Sequence, residues 1–185
     1  MTRRVAITGL GVISALGPDV DSFRQALLDG QTGIRPIQSV EPGLLRFANG
    51  AEVPDYDSSA HFDAKTGDLL DRFAQFGVIA ARQAVRDSGI SMVPSRTAVV
   101  TGCCVGGQAT EDAGFIDLYQ HKRPRVNPLT IPRIMGNAAA SFISVEFGIT
   151  GPAYTVSTAC ASANHAIGQA FWMVRSGMVD CALTG

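Results

Sequence analysis

Four short apolar runs predict β-strands, because each is rich in β-branched or small apolar residues and ends at a turn signal. They cover residues 5–8, 97–101, 153–157 and 179–184. Three of these runs end in a Thr-Gly dipeptide, which suits a tight turn where the backbone passes close to another element. Strands of this composition are typical of burial on both faces, so we expect a mostly parallel sheet.

Four segments around these strands show the 3.6-residue apolar period of helices. Asp19 can cap the first, and the others span 71–87, about 132–148, and the residues after 160. Their predicted inward residues are Val20, Phe23, Ala26 and Leu27; Phe73, Phe76, Ala80 and Ala84; Met135, Ala138, Ala139 and Phe142; and Ile167, Ala170, Phe171 and Val174. Helices between parallel strands predict an α/β fold. Residues 31–68 are polar and rich in turn formers, and we expect them to cover one sheet edge.

Composition narrows the class of function. At 185 residues with 46% apolar side chains, the chain suits one domain with a substantial core. A net charge of −1 and the lack of a Lys/Arg run argue against nucleic-acid binding. No apolar stretch reaches the ~18 residues of a membrane helix, so we expect no membrane association. The four cysteines and three histidines lack ligand or disulfide spacing, so we expect no metal, no cofactor and a cytoplasmic location.

The most informative residue is Cys160, which lies where the third strand gives way to the fourth helix. We expect it in the first turn of that helix, where free N–H groups and the helix dipole favour a thiolate. Small neighbours, from Thr158 to Ala163, would let a substrate approach closely. The alternative is that Cys160 is a buried cysteine that packs as a small hydrophobe.

The segment 156–168, Val-Ser-Thr-Ala-Cys-Ala-Ser-Ala-Asn-His-Ala-Ile-Gly, resembles the active-site cysteine motif of β-ketoacyl synthases, the decarboxylating condensing enzymes of fatty-acid and polyketide assembly. Residues 4–14, 101–107 and 127–137 resemble further segments of that family, in the same order. The resemblance implies a thiolase-like layered α/β fold made of two similar halves. Residues 1–185 would then be part of the N-terminal half, and the C-terminal half would be absent. The chain stops beside a predicted buried strand, which also suggests a longer protein.

The resemblance also implies a reaction. Cys160 would take an acyl group from an acyl carrier protein, and carrier-bound malonyl would lose CO₂ and attack that acyl group. The N–H of Cys160 would supply half of an oxyanion hole. Val105 would limit the acyl pocket, although ordinary core packing explains it equally well. The two catalytic histidines would lie in the absent half, so the 185-residue segment alone should be inactive.

Other residues receive weaker predictions. His165 lies roughly 500° around the helix from Cys160, so it should point elsewhere as a structural residue. The glycines at 102, 106 and 107 meet neither common phosphate-loop pattern. Residues 127–137 resemble the family's dimer-interface segment, with a plain loop as the alternative. Cys103 and Cys104 should be packed residues, and Phe171, Trp172 and Met173 should be core.

Carrier docking is where the sequence departs from the family, because residues 65–69 hold one base and one acid instead of a basic cluster. Lys65, Arg72, Arg123 and Arg125 are the candidates for this role.

We expect a stand-alone synthase of fatty-acid or polyketide/polyene synthesis, as a homodimer or as a heterodimer with a related subunit. A thiolase and a non-catalytic chain-length factor are the alternatives. Chain-length factors typically lack the cysteine, so Cys160 argues against that one.

Overall fold

The computed structural model describes residues 3–41 and 43–185 of the chain. Within those ranges, seven α-helices and five strands are formed. The helices are α1 (Val20–Leu28), α2 (Ala64–Leu69), α3 (Arg72–Ser88), α4 (Gln108–Tyr119), α5 (Thr130–Ile134), α6 (Ala138–Glu146) and α7 (Ser162–Ser176). The strands are β1 (Arg35–Pro36), β2 (Asn49–Gly50), β3 (Thr97–Gly102), β4 (Ala153–Val156) and β5 (Cys181–Thr184).

A three-stranded parallel sheet in the order β4-β3-β5 lies at the centre of the fold. Side chains alternate between the faces of a strand, and both faces of β3 are covered. Val99 packs with α3 and α6 on one face, whereas Ala98 and Val100 pack with α7 on the other. All three are fully buried. The prediction of a parallel sheet between helices is therefore confirmed.

The predicted strand at residues 5–8 is wrong. This segment has no strand partner among the described residues and faces β5 across a groove of about 610 Å³, with Ile7 83% exposed. The residues that follow are held by helix α3, since the N–H groups of Leu10 and Val12 donate to Asp87 and Gln83. An apolar run gives a strand only where a neighbouring strand accepts its backbone hydrogen bonds.

Helices α1 and α3 form where their caps predict. Asp19 accepts a hydrogen bond from Ser22 N at 2.8 Å, and Gly89 ends α3 with a left-handed φ of 59°. The predicted third helix instead divides into α5 and α6, which are separated by residues 135–137. Helices α2 and α4 were not predicted.

The buried faces of α3 and α7 differ from the predicted ones. Helix α3 buries Ala74, Gln75, Val78, Ile79 and Ala81, while Phe73, Phe76, Ala80 and Ala84 are half-buried. Helix α7 buries Ser162, Ala166, Ala170 and Met173. Ile167, Phe171 and Val174 line the groove beside β5 instead. Trp172 is 63% exposed and Phe171 is 37% exposed, so of the three predicted core residues only Met173 is buried.

Residues 31–41 and 43–68 contain the antiparallel pair β1 and β2, a short 3-10 turn and most of α2. Tyr56 packs edge-on against Phe76, with ring centroids 4.9 Å apart, and its hydroxyl lies 2.8 Å from Gln75 Oε1. Phe62 joins the buried cluster that includes α3. This excursion therefore packs on a helix, and the prediction that it covers a sheet edge is wrong.

A membrane-spanning helix would need a long, uninterrupted apolar segment. None of the helices in the described ranges has one.

Candidate active site

The turn between β4 and α7 displays the thiol of Cys160. Strand β4 ends at Val156, α7 begins at Ser162, and we call residues 157–161 the elbow. Cys160 is exposed and lies two residues before α7, not in its first turn as expected. Its exposure contradicts the alternative of a buried, packed cysteine for this part of the molecule. The elbow places the sulfur at the carboxyl end of the parallel sheet, where reactive groups of α/β proteins commonly lie.

Two tight backbone hydrogen bonds close the elbow. The N–H of Ala161 donates to Thr158 O at 3.1 Å, and the N–H of Ser162 donates to Ala159 O at 3.1 Å. These two donors are therefore not free to face the sulfur. In the described part of the chain the N–H of Cys160 itself has no hydrogen-bond partner, so it can donate to a bound substrate. That the helix end favours the thiolate stays a prediction.

Ala159, directly before Cys160, has a φ of 51°. Residues with a Cβ rarely adopt this left-handed conformation, because the Cβ crowds the carbonyl oxygen. Such conformations persist only where the surroundings hold them, and they concentrate at functional sites.

Two side chains of α7 hold the elbow. The Ser162 hydroxyl accepts a hydrogen bond from Thr158 N at 2.9 Å and lies 2.6 Å from Ala159 O, to which it donates. His165 Nδ1 lies 2.8 Å from the hydroxyl oxygen of Thr158. His165 is therefore tied to the elbow, so the prediction that it points elsewhere is wrong, whereas a hydrogen-bonded structural role agrees with this contact. The importance of Ser162 was not predicted; the only signal is that Ser162, Asn164 and His165 are polar residues at the start of a helix.

The loop after β3 lies beside the elbow, because β3 and β4 are parallel neighbours. Cys103 N donates to Val156 O at 3.1 Å, and Cys103 Sγ accepts from Gly106 N at 3.2 Å. Val105 is 58% exposed, so core packing does not explain it within the described residues. Cys104 is exposed as well, contrary to its prediction as a packed residue. Neither the groove beside β5 nor a second pocket of about 800 Å³ between α2, α3 and α4 includes Cys160 or Val105.

Asp71 is a structural residue near this loop that was not predicted. It is 3% exposed and accepts hydrogen bonds from Thr110 N at 2.8 Å and from the Thr110 hydroxyl at 2.6 Å. It thereby links the start of α3 to the start of α4, which carries the chain away from the Val105 loop.

The docking candidates lie at the surface, but two are already engaged. Arg72 lies over the rings of Tyr56 and Phe76 and donates to Val53 O at 3.2 Å. Arg123 pairs with Asp117 at 2.8 Å. Lys65 and Arg125 are exposed.

No group of three or more His, Cys, Asp or Glu side chains could hold a metal ion in residues 3–41 and 43–185. The exposed thiol therefore has no metal-binding cluster beside it in the described ranges. What the elbow offers is a nucleophile beside a backbone N–H donor that none of the described residues accepts from.

The chain belongs to the β-ketoacyl synthase family: the family described as "Beta-ketoacyl synthase, N-terminal domain" matches residues 2–185. The chain is 34% identical to 3-oxoacyl-[acyl-carrier-protein] synthase 2 of Coxiella burnetii (strain RSA 493 / Nine Mile phase I), over 99% of this chain and 45% of that protein. It is 36% identical to nodulation protein E of Rhizobium sp. (strain N33), over 100% of this chain and 46% of that protein.

Among solved structures, the ishigamide ketosynthase/chain length factor superposes with a TM-score of 0.90 at 30% identity. The match covers 100% of this chain and 47% of that one. The expected thiolase-like layered α/β fold is confirmed. The chain thus spans about half the length of the proteins it matches.

Proposed function

We propose that residues 1–185 are the N-terminal half of a stand-alone β-ketoacyl-[acyl-carrier-protein] synthase. It carries out decarboxylative Claisen condensation in fatty-acid or polyketide/polyene elongation. The observation that carries this proposal is the exposed Cys160 thiol on a strained elbow at the carboxyl end of the sheet. The family match and the names of the relatives support the reaction class.

The reaction proceeds through a thioester on Cys160. The Cys160 sulfur attacks the carbonyl carbon of an acyl-carrier thioester, and the bond from that carbon to the carrier's sulfur breaks. Malonyl on a second carrier then loses CO₂, and the resulting carbanion attacks the acyl carbon and expels the Cys160 thiolate. The N–H of Cys160, which has no acceptor among the residues that the structure describes, stabilises the oxyanion in both tetrahedral intermediates. The decarboxylating groups belong to the rest of the protein, so the 185-residue segment alone is inactive.

Val105 forms part of the wall of the acyl pocket. Its side chain projects from a loop that is hydrogen-bonded to the end of β4, and it is 58% exposed in this half of the protein. A large apolar side chain in that position is suited to contact an acyl chain or the remaining half. Replacing Val105 with Ala should therefore shift the preference toward longer acyl chains, without abolishing transfer to Cys160.

The segment 127–137, together with Val126 directly before it, is an interface with a second synthase subunit, identical or related. Four of its large apolar side chains are 37–62% exposed: Val126, Leu129, Ile131 and Met135. Apolar side chains clustered on one surface segment mark an interaction site. The similar ketosynthase/chain length factor structure is itself named for two related components.

The carrier protein docks on the surface around Lys65. Lys65 is exposed, whereas Arg72 presents its guanidinium between two rings and a backbone oxygen. A carrier of acidic character would be attracted to these cations, and this attraction weakens as salt rises. Reversal of both charges, Lys65→Glu with Arg72→Glu, should weaken carrier binding at low salt. Unchanged affinity would remove this docking surface.

We place the protein in the cytoplasm. Its four cysteines are free, and two of them, Cys104 and Cys160, are exposed. Exposed thiols persist in a reducing compartment and oxidise readily outside it.

The proposal is tested with the intact protein, acyl-carrier thioester and malonyl-carrier. The expected product is a 3-oxoacyl thioester together with released CO₂. Cys160→Ala should abolish condensation, and Cys104→Ala, which removes another exposed thiol, should retain it. Acyl transfer without decarboxylation would favour a thiolase, and an intact protein that forms no product with any acyl donor would favour a non-catalytic subunit.

A further inference from the structure

We propose that Ser162 is a positioning residue for Cys160: its buried hydroxyl holds the left-handed conformation of Ala159 that aims the thiol. This inference rests on the proposed function, because it concerns the thiol that would carry the acyl group. Ser162 touches no reacting atom, and it acts through the backbone of the elbow.

The first step is the pair of hydrogen bonds that the hydroxyl makes. It accepts from the N–H of Thr158 at 2.9 Å and donates to the carbonyl of Ala159 at 2.6 Å. These two groups belong to the residues that precede Cys160 along the chain. One hydroxyl therefore ties together the backbone on both sides of the positive-φ position.

The second step is burial. Ser162 is 5% exposed, so water cannot easily replace either hydrogen bond if the hydroxyl is removed. The Thr158 N–H would be left without an acceptor, and the elbow would relax to find one. Ala159 would then be held less firmly at its positive φ, since only the backbone hydrogen bonds of the elbow would still offset its steric cost.

The third step is that the elbow is held from its other side as well. The backbone of Ser162 and Ala163 packs directly on Gly102 at the end of β3, so closely that a Cβ at Gly102 would lie 2.5 Å from Ala163 Cα. The His165 ring also holds the Thr158 side chain, at 2.8 Å. The start of α7 is thus fixed against the sheet, and Ser162 transmits that fixed position to the backbone before Cys160.

The test compares Ser162→Ala with a serine at the other end of the same helix. Ser176 is exposed and donates to Met173 O at 3.2 Å, so Ser176→Ala makes the same chemical change and removes a hydrogen bond far from the elbow. In the intact protein, two rates are measured per titrated thiol: alkylation of Cys160 by iodoacetamide across pH, and acylation by acyl-carrier thioester. A displacement of about 1 Å at a reacting group can cost ~10²-fold. We therefore expect Ser162→Ala to slow acylation by about 10- to 100-fold at full thiol titre, and Ser176→Ala to leave it unchanged.

A second substitution separates positioning from a general loss of structure. Glycine adopts a positive φ without steric cost, so Ala159→Gly removes the strain that Ser162 offsets. The double variant, Ser162→Ala with Ala159→Gly, should therefore be acylated at least threefold faster than Ser162→Ala alone.

Two outcomes would overturn the inference. One is a wild-type acylation rate in Ser162→Ala. The other is a Ser162→Ala protein that has fewer titratable thiols but an unchanged rate per thiol, and that Ala159→Gly does not restore. If the wild-type protein were not acylated, the proposed function would be contradicted. The positioning role of Ser162 would still be tested, because the rate of Cys160 alkylation also depends on the conformation of the elbow.

Discussion

Gly102, at the end of β3, is the position where one added methyl group tests whether close packing of α7 on the sheet positions the Cys160 thiol. A Cβ there would lie 2.5 Å from Ala163 Cα and nearer still to the Ser162 carbonyl carbon and the Ala163 nitrogen. All three are backbone atoms, so no side-chain rotation relieves the clash. Ordinary contact begins at 3.4 Å, so relieving the contact with Ala163 Cα alone moves the start of α7 by about 0.9 Å away from β3, and the two nearer atoms require slightly more.

The expected cost of Gly102→Ala follows from that displacement. Overpacking of this kind costs about 1–3 kcal/mol of unfolding free energy. A shift of about 1 Å in a nucleophile can lower the rate by ~10²-fold, so acylation of Cys160 should fall by about that factor. The assay combines urea unfolding with the acylation rate per titrated thiol in the intact protein.

Gly114 provides the matched control for this substitution. It lies within α4, and a Cβ added there would meet no neighbouring atom within 4 Å. Gly114→Ala should therefore stabilise the helix by about 0.5–1 kcal/mol and leave acylation unchanged. If Gly102→Ala kept both the wild-type stability and the wild-type rate, the contact between β3 and the start of α7 would not position the thiol.

Three further predictions concern the scaffold, each measured by unfolding of the intact protein. Asp71→Ala should cost about 1–3 kcal/mol, because two half-buried donors of Thr110 lose their acceptor. Val100→Ala should cost about 2–3 kcal/mol, because Val100 is fully buried between the sheet and α7. Hydrogen bonds from Arg96, then from Arg3, hold the pKa of Asp180 below its usual range. The stabilisation that Asp180→Asn removes should therefore be fully present at pH 7. It should decline progressively as pH falls from about 4 towards the lowered pKa of the native carboxyl; a difference in melting temperature independent of pH would contradict this.

The sequence predicts the elements better than it predicts their buried faces. Strand β3 and helices α1 and α3 follow from local signals, namely β-branched runs and capping residues. The apolar period assigns the inward face of α3 to large residues such as Phe73. The structure instead packs α3 on α6 through small residues, where a Cβ at Gly77 would lie 3.2 Å from Ala139 Cβ. An apolar period does not show where two helices approach most closely.

The N-terminal run shows a different limit of sequence reasoning. Residues 5–8 have the composition of a strand, but pairing depends on which backbone lies alongside, and that neighbour is distant in sequence. The break at residues 135–137 was also missed, because the apolar period of a helix continues through these residues although the backbone turns there.

The candidate site was predictable in position but not in detail. The junction of an apolar run and a helical period places Cys160 correctly to within two residues. The role of Ser162 depends on the left-handed backbone at Ala159 and on burial beneath the elbow, and neither leaves a local signal in the sequence.

The central claim is that the thiol at position 160 carries the acyl group, and one measurement tests it directly. The intact protein is incubated with acyl-carrier thioester and digested, and the masses of its peptides are measured by mass spectrometry. The account predicts the acyl mass on the peptide that contains Cys160 and its loss in Cys160→Ala. An acyl group on Cys103, Cys104 or Cys181 instead, or an adduct that survives Cys160→Ala, would contradict it.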